Sequence, residues 1–239
     1  FCGTFFKYYN IMAEEKEDIL DEVKEAYSKT EHYLEENKRS LGIILGAIVL
    51  LIAGYFMWQK FYVEPQEDEA RSAMFMAEKY FEKDSLDLAI NGDKKFKGFK
   101  YITEEYSITK SANLAHYYLG ICYLRKGKFE ESLKELKEFS TNDEFLGSVA
   151  IGAQGDAYME LGKKEDAVSQ YLQAAKNSNN EFTAPFYLMK AAMAYEEMNN
   201  FDNAVKIYEQ IKSDYYESPE GRDIDRFLER AKSLKGSSK

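Results

Sequence analysis

Cysteine and histidine are scarce in this 239-residue chain, which has two of each and one tryptophan. Cys2 and Cys122 fall on either side of a long apolar run. They cannot staple a fold, and cysteine usage leaves the redox compartment open. Cys122, in a helical stretch, reads as a small buried apolar residue rather than a nucleophile. His32 and His116 are separated by the same run, which excludes a two-histidine metal site or a histidine relay within one compartment. There is no glycine-rich phosphate loop and no G-x-S-x-G elbow. Neighbouring acidic residues such as Glu104-Glu105 and Glu196-Glu197 point different ways on a helix and do not form a carboxylate pair. The chain reads as a non-enzyme with no cofactor and no metal. Positive charge is also in deficit, with 32 Lys+Arg against 42 Asp+Glu. Residues 1–63 hold 7 basic and 10 acidic side chains, so 25 basic and 32 acidic follow. A surface of that sign repels phosphate backbones and excludes nucleic acid as a partner.

What the chain does have is an uncharged run, LGIILGAIVLLIAGYFMW, at residues 41–58. Extended by Phe61 and Tyr62, it is long enough to cross about 30 Å of hydrocarbon as a helix. Some forty residues precede it and its end is bulky, unlike a cleaved signal peptide, so residues 41–62 read as a signal anchor. Lys38 and Arg39 border its start, which favours a cytoplasmic N-terminal segment (1–40) and an outer C-terminal domain (64–239). Tyr55, Trp58, Phe61 and Tyr62 form an interfacial aromatic belt. Gly42 and Gly46 make a G-x-x-x-G pair suited to close helix packing in lipid, although glycine is common in membrane helices. Met12-Ala13-Glu14-Glu15 reads as a translation start, with residues 1–11 as an upstream extension. Residues 13–37 carry a heptad-like stripe, Leu20, Val23, Tyr27, Thr30 and Leu34. It suits either a weak partner helix or a helix running on into the span.

Beyond the anchor a pattern recurs. Tyr123, Tyr158 and Tyr195 are each followed four residues later by Gly127, Gly162 or Asn199, and nine later by a small residue. A small residue early in each unit lets helix A pack on helix B, and Gly or Asn makes the turn between them. The period and pattern are those of tetratricopeptide repeats. The expected fold is therefore all-α: one N-terminal transmembrane helix and then a tetratricopeptide-repeat helical solenoid. Its repeats fall near 113–146, 148–183 and 185–217. A degenerate copy at 71–106 is interrupted at Asn91-Gly92, with Phe96, Phe99, Tyr101 and Ile102 covering the open end. Thr183 and Ser218 cap helices that begin near Pro185 and Pro219. A terminal helix, 219–235, closes the stack with Ile224, Phe227, Leu228, Ala231 and Leu234, and residues 236–239 are expected to be disordered.

Projecting the helix A register gives a groove lined by Leu114, Tyr117, Ile121 and Leu124, then Val149, Gly152, Asp156 and Met159, then Phe186, Met189, Met193 and Glu196. This face is apolar and methionine-bearing with few cations, which disfavours clamping a C-terminal carboxylate and suits hydrophobic segments or a partner helix. Several of these positions serve equally well as interhelix core.

Leu114-Ala115-His116-Tyr117-Tyr118, Gly155-Asp156-Ala157-Tyr158 and Ile211-Lys212-Ser213-Asp214-Tyr215 resemble stretches of membrane-anchored tetratricopeptide proteins of Bacteroidota. The single anchor followed by an acidic repeat domain resembles the YfgM-type ancillary subunit of the bacterial Sec translocon. That resemblance implies an inner-membrane protein with its domain in the periplasm. It also implies contact with translocon subunits, with a periplasmic peptidyl-prolyl isomerase-type chaperone and with emerging secreted clients. The alternative is a scaffold of another envelope assembly, in outer-membrane biogenesis or surface-protein export.

Overall fold

The computed structural model describes residues 35–178 and 180–237, in two units that divide between Tyr62 and Val63. Cys2, His32, the stripe from Leu20 to Leu34 and the start near Met12 lie outside the described residues. In the first unit, helix α1 (35–58) has a mean hydropathy of 2.4 over its most apolar window, enough for a candidate membrane span. Its apolar side chains project outward, and a Cβ at Gly42 or Gly46 would have no neighbour within 4 Å.

In the second unit every named element after the Gln59–Val63 π-turn is an α-helix. These are α2 (Glu64–Glu82), α3 (Leu86–Asn91), α4 (Phe99–Glu105), α5 (Lys110–Arg125), α6 (Phe129–Glu138), α7 (Glu144–Glu160), α8 (Lys164–Asn177), α9 (Thr183–Glu197), α10 (Phe201–Asp214), α11 (Pro219–Arg222) and α12 (Ile224–Ser237). The pairs α5/α6, α7/α8 and α9/α10 stack in sequence, and α12 packs on α10.

One local device bends each pair. The backbone N–H of Lys128 bonds the carbonyl of Tyr123 at 2.9 Å, Lys163 that of Tyr158 at 2.9 Å, and Asn200 that of Tyr195 at 2.8 Å. Ser85 bonds Tyr80 in the same way at 2.8 Å. In each turn the preceding residue also bonds the carbonyl three back, completing a Schellman motif. That preceding residue is left-handed in all four: Asp84 (φ 54°), Gly127 (70°), Gly162 (73°) and Asn199 (57°). Tyr80 thus ends α2 just as the later tyrosines end α5, α7 and α9. After Asp84 the first repeat differs, because α3 stops at Asn91 and α4 follows where later repeats have one helix.

Small residues set the close approaches. A Cβ on Gly120 would lie 2.6 Å from Leu136, and one on Gly155 would lie 2.5 Å from the Tyr171 ring. Either would force helices A and B apart. Two buried clusters result. One joins α2–α5 through Met74, Ile90, Phe99, Ile102 and Leu119; the other joins α8–α12 through Tyr171, Tyr187, Tyr208, Ile211 and Leu228. Phe99 and Ile102, expected to cover the open end, are fully buried. Phe99 stacks on Tyr118 at 5.1 Å because α4 lies flat against α5.

Four helix starts are capped by the N-cap side chain. Thr109, Asp143, Asn200 and Ser218 each accept an N–H from the first turn. The cap expected from Thr183 is made by Asn180, whose Oδ1 accepts the N–H groups of Phe182 and Thr183 at 2.8 and 2.9 Å. Thr183 sits inside the helix and its hydroxyl donates to the Ser178 carbonyl. Helix α12 continues through Gly236 to Ser237, beyond the expected end at 235. Glu67 of α2 reaches across to the start of α5, where it accepts the Lys110 N–H and the Ser111 hydroxyl, each at 2.7 Å. Burial alone would raise the Glu67 pKa, but the bonds from Ser111 and Lys110 leave it below the usual 4.5.

Two measurements follow. Gly162 has open space around it, so Gly162→Ala costs only the left-handed conformation, about 1 kcal/mol; Asn199→Gly changes stability in the opposite direction, both read from urea midpoints. Because the folded pKa of Glu67 is depressed, its contribution is present at neutral pH and lost as pH falls below 4.5. Glu67→Gln therefore flattens the acid limb of stability against pH, and an unchanged limb refutes the assignment.

Candidate functional site

The A helices α5, α7 and α9 carry the projected groove, and their residues divide into distinct environments. Leu114, Tyr117, Ile121, Leu124, Val149, Met159 and Met189 are half-buried, whereas Phe186 and Met193 are 43% and 46% exposed. Phe186, Met189 and Met193 recur at three and four residues, so they share one face of α9. Gly152 is buried. A Cβ there would lie 2.0 Å from the Tyr187 ring, so this position seats α9 on α7 and does not line a groove. Tyr117 packs on Phe139 at 5.4 Å, and burial raises its hydroxyl pKa.

The two acidic positions have partners. Asp156 Oδ1 accepts the Tyr171 hydroxyl and the Lys190 ammonium, both at 2.6 Å. Burial, then this bond to Asp156, pushes the Tyr171 pKa upward, so the phenol stays a donor. Lys190 also lies 5.3 Å from the rings of Tyr171 and Phe186. Glu196 accepts from Arg230 of α12, and its side chain is only 12% exposed. It ties the terminal helix to α9 and is not a free groove carboxylate.

Leu124, Asp156, Met159, Tyr171 and Lys190 line a cleft of about 590 Å³, with Arg125 at its edge. Sequence reasoning missed Lys190, which with Arg125 lines this cleft, and the exposed Phe145 (60%) and Phe182 (77%) at the starts of α7 and α9. The available signal was Lys190 four residues after Phe186, on the face carrying the apolar positions.

Little here suggests reactive chemistry. Cys122 is buried, which pushes its thiol up to about 12, and a protonated thiol is a poor nucleophile. His116 Nδ1 lies 2.7 Å from Glu135 Oε2. Among the described residues no group of three His, Cys, Asp or Glu side chains is placed to hold a metal ion.

With this geometry in view, two family models, each described as tetratricopeptide repeat, match residues 150–181 and 187–218. These two segments are tetratricopeptide repeats, set in an all-helical solenoid. The matched tetratricopeptide segments are α7/α8 and α9/α10, the pairs bearing most of the cleft. Two solved structures of a Podosopora anserina protein, described as a kinesin light chain with nearly identical TPR-like repeats, superpose with TM-scores of 0.54 and 0.55 at 18% and 17% identity. Each alignment covers 72% of this chain, with 88% and 89% of theirs. The structure of MamA aligns with a TM-score of 0.48 at 18% identity, over 68% of this chain and 95% of its own. At such identities the likeness is one of fold. No curated protein matches the sequence.

Two outcomes test the site. Native Cys122 should resist maleimide at pH 8 and react only on unfolding, as read by mass spectrometry. Asp156→Asn removes the charge opposite Lys190 and weakens a partly exposed network, costing about 1 kcal/mol in denaturant melts. A cost of zero would show that the cluster contributes nothing to the fold.

Proposed function

We propose that this protein is a membrane-tethered, non-enzymatic adaptor beside the Sec translocon. The repeats make it a protein-interaction scaffold; the partner is the inference. One observation carries the reading. The A-helix face of α9 leaves Phe186 and Met193 exposed, on the helix whose Lys190 pairs with Asp156 in the cleft. Flexible methionine and aromatic side chains at three- and four-residue spacing fit the apolar face of a helix or an extended hydrophobic segment. Such segments are presented by translocon subunits, a periplasmic chaperone and newly translocated clients. The candidate span α1 anchors the domain in the inner membrane, with residues beyond 63 in the periplasm and Gly42 and Gly46 available to a neighbouring membrane helix.

Affinity purification from detergent-solubilised membranes tests this directly and recovers translocon subunits. Placing Glu at both 186 and 193 removes two apolar anchors and lowers that recovery about tenfold or more. Absence of translocon subunits from the wild-type eluate refutes the reading, and components of another envelope assembly in their place identify the alternative.

A further inference from the structure

Residues 94–97 read Lys-Lys-Phe-Lys within an acidic domain, and the fold presents them as a rigid turn. Asp93 organises it. Its Oδ1 accepts the N–H groups of Lys95 and Phe96, and its Oδ2 accepts the Tyr80 hydroxyl, all at 2.7 Å. The Asp93 N–H donates to the Phe96 carbonyl at 2.8 Å, and Gly92 bridges to Lys97. The inside of the turn is full, since a Cβ on Gly98 would lie 2.4 Å from the Ile90 carbonyl oxygen. The lysines therefore point outward. Lys94, Lys95 and Lys97 are exposed, and none forms an ion pair among the described residues. Lys95 and Lys97 lie over the rings of Phe96 and Tyr101 at 5.1 and 4.2 Å. Beside them α2 leaves Phe75 58% exposed. Ala73, Phe75, Met76 and Phe96 line an open cleft of about 600 Å³ together with Lys95, Lys97 and one carboxylate, Glu69, which accepts the Tyr106 hydroxyl.

Three unpaired cations around an aromatic floor match the surface of an anionic bilayer. Ammonium groups meet phosphates, while a phenyl ring and a thioether enter the boundary between headgroups and acyl chains. We propose that this face docks on anionic lipid headgroups. The inference rests on reading α1 as a membrane anchor. That anchor favours lipid over a soluble acidic protein, because it holds the lysines at a high local concentration of headgroups. The domain as a whole is acidic, and in the basic stretch at 125–128 Arg125 and Lys126 are paired with Asp84 and Asp87.

The test uses the full chain in lipid nanodiscs, with Trp58→Phe removing the native indole and Phe75→Trp supplying a probe at an exposed site. Brominated phosphatidylglycerol should quench the indole, and brominated phosphatidylcholine in otherwise uncharged discs should quench it severalfold less. Raised salt and the triple charge reversal K94E/K95E/K97E should each abolish the difference. Three lysines near a charged surface favour the docked state by on the order of a hundredfold. An indole equally bright in brominated and plain anionic discs overturns the proposal, as does quenching that survives the charge reversal. Protection of the lysines from acylation that appears only when an acidic protein is added overturns it too. Carbonate extraction reports separately on the anchor: a chain that washes out refutes anchoring, whereas a retained chain with an unquenched indole refutes only the docking.

Discussion

The architecture depends on a backbone hydrogen bond repeated four times: the carbonyl of Tyr80, Tyr123, Tyr158 or Tyr195 receives the N–H five residues later. Closing that ring requires one left-handed residue, and it reverses the chain within a few residues so that two helices meet at short range. Contact then depends on small side chains at the crossing. Gly120 against Leu136 and Gly155 against Tyr171 let the pair approach until the large residues of the next pair can fill the remaining space. A solenoid of this kind is stabilised by neighbours rather than by a central core. Its buried residues accordingly form two clusters along the stack.

A consequence of nearest-neighbour packing is that the A helices keep one face free. In the first repeat that economy fails locally, since α4 lies along α5 and buries Phe99 and Ile102 there. At the other end α12 covers α10 and holds Glu196 through Arg230. The open face therefore concentrates on α7 and α9, where Phe145, Phe182, Phe186 and Met193 remain exposed. Exposed large apolar groups in a cluster mark an interaction surface more than they mark a fold requirement. The tetratricopeptide matches at 150–181 and 187–218 fall on the same two helix pairs.

Much of this was legible in the residues. Gly127, Gly162 and Asn199 announce the turns because few residues tolerate a positive φ, and the small residues nine positions beyond each tyrosine announce the second helix. The apolar run at 41–58 marks a candidate span by its length and composition. The site was less legible. Register projection assigned Phe186, Met193, Gly152 and Glu196 alike to one groove, but the first two are exposed, Gly152 is buried against Tyr187 and Glu196 is held by Arg230. It had no means of selecting Lys190 as the partner of Asp156.

The chain by itself determined which residues turn, which helices pair and which faces are apolar, because these follow from contacts a few residues apart. Tertiary structure decided what each face meets. Asp156 meets Lys190, and Glu196 meets Arg230, across separations of 34 residues in both cases. Helical periodicity assigns a side chain to a face but says nothing of what lies opposite. That depends on how far each repeat rotates on the last, a quantity set by the summed packing of all the side chains between them.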